Sequence, residues 1–84
     1  MTPADATPGA AADRATLFAI AARIFGVPPE SLSESTRRAD IPSWDSVNHL
    51  RLVMEAESAL GVVYPFERIP SMESLSDFLL PPSP

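Results

Sequence analysis

Cysteine and lysine are both missing from this chain, histidine occurs once, and glycine only three times. Each shortage excludes something. Without cysteine there is no disulfide, no thiolate metal site and no cysteine nucleophile, so packed side chains have to hold the fold. His49, the single histidine, has no second imidazole to share a metal and no thiol to activate. It lies one residue off the Val47/Leu50 stripe, which reads as a surface or boundary position. Three glycines do not make a phosphate-cradling loop, and two of them, Gly26 and Gly61, read as helix caps. Glu55 and Glu57 sit two apart on one helical stretch and diverge by about 200°, so they form no general acid–base pair.

Charge excludes further classes. All six cations are arginine, the net charge is −5 and the isoelectric point is near 4.5, which leaves no basic patch for nucleic acid. The N-terminus has no basic lead, and Arg23 interrupts its apolar run. Neither a signal peptide nor a membrane span is expected, and the default location is cytoplasmic.

What the 84 residues do contain is one small domain's worth of periodic apolar sequence, 45% hydrophobic, punctuated by ten prolines. Residues 1–12 read as a flexible lead without apolar period, in which Thr7-Pro8 could start an early helical turn. The spacing of Leu17, Ile20, Ala21 and Ile24, widened by Phe18 and Phe25, predicts a helix over 13–25. Gly26 stops it, and Pro28-Pro29 prevent continuation. A long connection over 27–43 has Val27, Leu32 and Ile41 as apolar pins, with one helical turn expected near Ser31–Ser35. Arg37 and Arg38 read as facing solvent or pairing with acids. A second helix is predicted over 46–60, with Val47, Leu50, Val53, Met54, Ala56 and Leu60 as its buried stripe and Gly61 as its stop. Val62-Val63-Tyr64 reads as an extended link, and Pro65 opens a short turn through Ile69. Ser71 reads as the N-cap of a last helix through Leu80, with Leu75, Phe78 and Leu79 facing inward and Pro81-Pro82 ending it. The expected fold class is all-α: a small four-helix bundle of three main helices and one short one, with a long first loop. The domain spans 13–80, and 81–84 form a tail.

The handover from that loop to the longest helix, Pro42 to Leu50, carries Asp45-Ser46. A helix start presents unpaired backbone N–H groups and the positive end of the macrodipole, which suits an attached phosphate. Alone, the dipeptide is an ordinary helix start. Its context is more specific. Asp45-Ser46-Val47 is followed by Leu50, Leu52-Val53-Met54, Glu57, Leu60-Gly61-Val62 and Tyr64. Ile69-Pro70-Ser71-Met72-Glu73-Ser74-Leu75 comes next, and Phe25-Gly26-Val27 and Leu32 lie upstream.

This run resembles the acyl carrier proteins over about residues 13–80. The resemblance implies a four-helix bundle with a long first loop, agreeing with the elements read above. It implies that Ser46 carries 4′-phosphopantetheine, whose terminal thiol holds acyl groups as thioesters, and that Asp45 belongs to the motif as a helix cap. The cofactor would then supply the reactive group, in keeping with the lack of a catalytic constellation. Trp44, Val47, Arg51, Met54 and Tyr64 are implied in partner recognition. The partners would be a phosphopantetheinyl transferase and acyl-loading or acyl-transferring enzymes such as a ketosynthase or acyltransferase, and the carrier itself a monomer without catalytic activity.

Val47 stands where many members have leucine, and Trp44 where a small residue is common. The family's partners dock on an acidic second helix, whereas Arg51 here stands among Glu55 and Glu57, with His49 nearby. Arg51 either faces a partner or pairs with Glu55 one turn on. The weaker acidity favours a dedicated polyketide, fatty-acid-like or other specialised pathway over bulk fatty-acid synthesis. Two alternatives share these elements: a peptidyl or aminoacyl carrier, and a helical interaction module in which Asp45 and Ser46 only cap.

Overall fold

The computed structural model describes the backbone of residues 6–79 and side chains from residue 13 onward. The expectations for residues 1–5, for the end of the last helix at Leu80 to Pro82 and for the tail 81–84 lie outside the described residues. The chain is mostly helical, a small bundle as expected, with α1 (Ala6–Phe25), α2 (Ser46–Leu60) and α3 (Leu75–Leu79). Three 3-10 turns connect them: Pro29–Ser31, Arg38–Asp40 and Phe66–Ser71. Among the described residues no helix is long and apolar enough to cross a membrane.

Several boundaries differ from expectation. α1 begins at Ala6 rather than at residue 13, so most of the presumed lead is helix. Alanine has the highest helix propensity, and Pro8 falls in the first turn, where the missing N–H has no partner to lose. At the other end Ser71 is not a helix cap. It closes the Phe66–Ser71 turn by donating its hydroxyl to the Arg68 carbonyl at 2.9 Å. α3 starts four residues later, where the Asp77 carboxylate accepts from the N–H groups of Glu73 and Ser74 at 2.9 and 3.1 Å. The single turn expected at Ser31–Ser35 forms slightly earlier, at Pro29–Ser31.

Both long helices stop as their glycines dictate. Gly26 and Gly61 take φ of 70° and 69°, the left-handed conformation that L side chains resist. After α1 the chain runs 19 residues, 26–44, before Asp45, and backbone hydrogen bonds tie that length down. Arg38 N–H donates to the Glu73 carbonyl, Leu75 N–H to Thr36, and Ser76 N–H to Glu34, at 2.8 to 3.0 Å. Leu32 and Ile41 are buried and Val27 is half-buried, as their role of pins requires. Arg37, expected at the surface, is exposed and pairs with Glu73 at 3.1 Å.

The core lies between α1 and α2 and is closed by α3. Leu17, Leu52, Met72, Leu75 and Phe78 are its fully buried large side chains. Rings gather around Phe78: Tyr64 at 5.4 Å, His49 at 5.9 Å and Trp44 at 6.4 Å between centroids, with Phe25 stacked on Trp44 at 4.9 Å. The Tyr64 hydroxyl donates to the Phe78 carbonyl at 2.7 Å. Burial, with help from the negative charges of Glu57 and Asp13, pushes that phenol up to about 12.

α3 has five described residues, too few to make a stable helix alone. Its place therefore depends on Leu75 and Phe78, and Phe78→Ala is expected to cost about 3–5 kcal/mol. Urea denaturation followed by circular dichroism measures this, and a loss below about 1 kcal/mol would mean that the surrounding rings close over the gap.

Candidate functional site

The site is built at the first turn of α2. Ile41 to Trp44 makes a tight turn, Trp44 N–H donating to the Ile41 carbonyl at 3.0 Å. Ser43 is held from two sides. Its hydroxyl donates to the Phe25 carbonyl at 2.8 Å, occupying a carbonyl at the end of α1, and its own carbonyl accepts from the Asn48 side-chain amide at 2.8 Å. Asp45 follows in extended conformation, φ −94° and ψ −174°, and caps α2: its Oδ1 accepts from Asn48 N–H at 2.9 Å. This is the capping role expected of Asp45.

Ser46 is the first residue of α2 and is exposed. Asp45 supplies the cap, so the Ser46 hydroxyl is not needed for it. The N–H groups of Ser46 and Val47 are among the first four of the helix, which have no partner within it. Both stand at the positive end of a 15-residue dipole. An exposed hydroxyl beside two such donors fits a phosphodiester on the Ser46 oxygen.

Below Ser46, α2 carries apolar side chains on two opposite faces. The inner face consists of His49, Leu52, Val53 and Ala56, all buried. The outer one consists of Val47, Leu50 and Met54, respectively 66%, 52% and 67% exposed. These three fall at i, i+3 and i+7, within about 60° of one another around the axis, with Arg51 on the same stripe. The predicted buried stripe was therefore rotated: Val53 and Ala56 are inside and Leu60 is half-buried, but Val47, Leu50 and Met54 face out. Their exposure leaves Val47, Met54 and Arg51 available to a partner.

Two other residues expected at a recognition surface are not there. Trp44 is buried, stacked on Phe25 with its indole N–H donated to His49 Nδ1 at 2.9 Å. Tyr64 is buried against Phe78. Both rings are large enough that core packing outweighs exposure, and each polar atom finds a partner inside. His49 is corrected the same way. Expected at a boundary, it is buried, and Nε2 donates to the Ile69 carbonyl at 2.7 Å. Its spacing to Leu52, Val53 and Ala56 is the signal that places it inside.

The carboxylates of α2 are engaged within the molecule. Glu55 forms an ion pair with Arg23 of α1, not with Arg51. The Arg23 guanidinium holds its carboxyl below the usual range, Arg51 contributing a little. Glu57 accepts from Tyr64 N–H at 2.9 Å, fixing the chain after the helix. The outer face is thus apolar with one cation. Phe66, at the start of the last 3-10 turn, is 87% exposed and Val63 also faces solvent. The sequence placed Val63 only in an extended link and Phe66 only within the turn that Pro65 opens, neither of which signals exposure.

No family model matches the chain, and no curated protein or solved structure matches it either.

Proposed function

We propose that this chain is a discrete acyl carrier protein, with 4′-phosphopantetheine attached to Ser46 by a phosphopantetheinyl transferase. The observation that carries the reading is the exposed Ser46 at the start of a long helix whose cap is supplied by its neighbour Asp45. The motif resemblance names the group, and the geometry is compatible with it. When bound, that group supplies a thiol on a flexible arm, which holds the acyl cargo as a thioester. The chain's own residues provide the attachment oxygen, the uncapped N–H groups beside it and the helix dipole. In this reading the protein is not itself an enzyme. Its partners, a ketosynthase or acyltransferase of a polyketide, fatty-acid-like or other specialised pathway, do the chemistry.

A helical interaction module without a prosthetic group is the reading from another class, favoured by the exposed Val47, Leu50 and Met54 stripe. Modification separates the two. Incubation with a broad-specificity phosphopantetheinyl transferase and coenzyme A is expected to add one phosphopantetheine by intact-protein mass spectrometry. Ser46→Ala should stay helical by circular dichroism and remain unmodified. An unshifted wild type, in conditions that load other carriers, favours the interaction module; a shifted alanine variant moves the site elsewhere.

Arg51 shapes the choice of partner. It is exposed on the outer stripe, while Glu55 and Glu57 are occupied by Arg23 and by Tyr64 N–H. An enzyme adapted to an acidic helix meets a like charge there, which slows encounter and weakens the complex. Arg51→Glu is expected to raise the rate at which a generic fatty-acid-type transferase or ketosynthase uses the carrier, chiefly through association. It should impair the cognate enzyme. The gain shrinks with added salt, because exposed charges are screened beyond about 10 Å at 0.1 M. Loading rates of both proteins at low and high salt measure it, and equal rates at low salt leave Arg51 without a part in partner choice.

A further inference from the structure

His49 is the only histidine of the chain and Trp44 the only tryptophan, and the fold presses them together away from water, 4% and 3% exposed. Indole N–H is a donor only, so His49 Nδ1, 2.9 Å from Trp44 Nε1, has to accept with its lone pair. A carbonyl is an acceptor only, so Nε2, 2.7 Å from the Ile69 oxygen, has to carry the ring proton. The two partners together allow one tautomer of the neutral ring and no imidazolium. They also belong to different segments. Trp44 precedes Asp45 and Ser46 by one and two residues, and Ile69 lies in the Phe66–Ser71 turn. His49 on α2 joins them.

We propose that the Trp44–His49–Ile69 chain of hydrogen bonds is a proton-operated latch, which fastens the Ser46-bearing turn and the Phe66–Ser71 turn to α2 while His49 is neutral and releases the Trp44 side when it is protonated. A proton taken from water binds the Nδ1 lone pair. Nδ1–H then points at Trp44 Nε1–H, donor against donor, and both are left unsatisfied in an apolar setting. The Ile69 bond survives, because Nε2–H donates in either state and more strongly when the ring is charged. The break therefore falls between His49 and Trp44, next to the cap of α2.

The charges around the ring do not offset this. From the Arg38–Asp40 turn comes Arg38, whose positive field opposes an imidazolium. From the Phe66–Ser71 turn the ring meets the Ile69 carbonyl, and the charged residues of that element are exposed Glu67 and half-buried Arg68. From α3 it meets the Phe78 edge, while Asp77 of that helix is spent on backbone N–H groups. On its own side Asp45 is spent on Asn48 N–H, and Arg23 of α1 is held by Glu55. Burial accordingly pushes His49 below its ordinary value, with Ile69 pulling the other way and Arg38 adding to the fall. A folded-state value below the unfolded one means that the latch's contribution is whole above about pH 6.5 and is lost as pH falls through the folded value.

The test uses the full chain and no group on Ser46, so it stands apart from the carrier reading. A long-range proton–nitrogen NMR spectrum of the single histidine at neutral pH is expected to show the Nε2–H tautomer. Trp44 emission and its quenching by acrylamide, followed from about pH 8 to about pH 5 across the histidine range, should shift red and rise, with the urea midpoint falling in parallel. His49→Gln offers an amide oxygen to Trp44 and an amide N–H to Ile69 at every pH, so its emission and midpoint should stay flat. If that variant does not fold, Trp44→Phe removes the donor and frees Nδ1, and the His49 titration should move to higher pH. An Nδ1–H tautomer, no transition down to about pH 5, the same transition in His49→Gln, or an unmoved titration in Trp44→Phe overturns the latch.

Discussion

The Phe78 ring is the point on which the described segments converge. It packs against Trp44 from the end of the loop, His49 from α2 and Tyr64 from the link after α2, and its own carbonyl receives the Tyr64 hydroxyl. That convergence answers the weakness of α3, which is too short to hold itself. A five-residue helix stays in place because its one large ring is walled by rings from elsewhere, each of them with its polar atom satisfied. Backbone bonds from Thr36 and Glu34 to Leu75 and Ser76 then fasten the long loop to the same small helix. The loop and α3 therefore stabilise each other, and neither is a separate unit.

Local rules were legible in the sequence wherever one residue type has one use. Gly26 and Gly61 end helices because the left-handed turn they occupy disfavours any other residue, and Asp45 caps because its carboxylate reaches Asn48 N–H. Most of the inward set of α1 came through as well: Leu17, Ile20, Ala21 and Phe25 are buried, while Ile24 and Phe18 at the edges of the stripe are half-buried. α2 defeated the same reasoning for a physical reason. Val47, Leu50 and Met54 have helical spacing, and so do His49, Leu52, Val53 and Ala56 on the opposite side. Periodicity identifies a stripe but does not say which of two stripes meets the core. The decision rests with Trp44 and Phe78, whose rings need His49 inside, and those contacts are set by tertiary structure.

The same two-sidedness divides the work of α2. Its inner face is committed to the core, its carboxylates to Arg23 and to Tyr64 N–H, and its Asn48 to the Asp45 cap and the Ser43 carbonyl before it. Toward solvent stand Ser46 at one end, an apolar stripe with Arg51 below it, and Ser58 and Ala59 near the other end. In the proposed carrier role this separation lets the attachment oxygen and the contact surface change partners without disturbing the fold. It also removes acidity from the outer surface by internal pairing, an effect that counting charges along α2 does not reveal.

Placement of the site beside the latch adds a constraint. The turn before Ser46 has three anchors: Ser43 on the Phe25 carbonyl, Asn48 on the Ser43 carbonyl, and Trp44 on His49. The first two join neutral groups and are indifferent to mild acid. The third depends on a lone pair that water can protonate, and it is the one that also engages the Phe66–Ser71 turn. A helix start built only from backbone and hydroxyl contacts would present Ser46 identically at every physiological pH. In the proposed latch, an imidazole in place of one of those contacts makes the rigidity of the turn before Ser46 depend on proton concentration, while α2, anchored by Leu52, Val53 and Ala56, keeps its place.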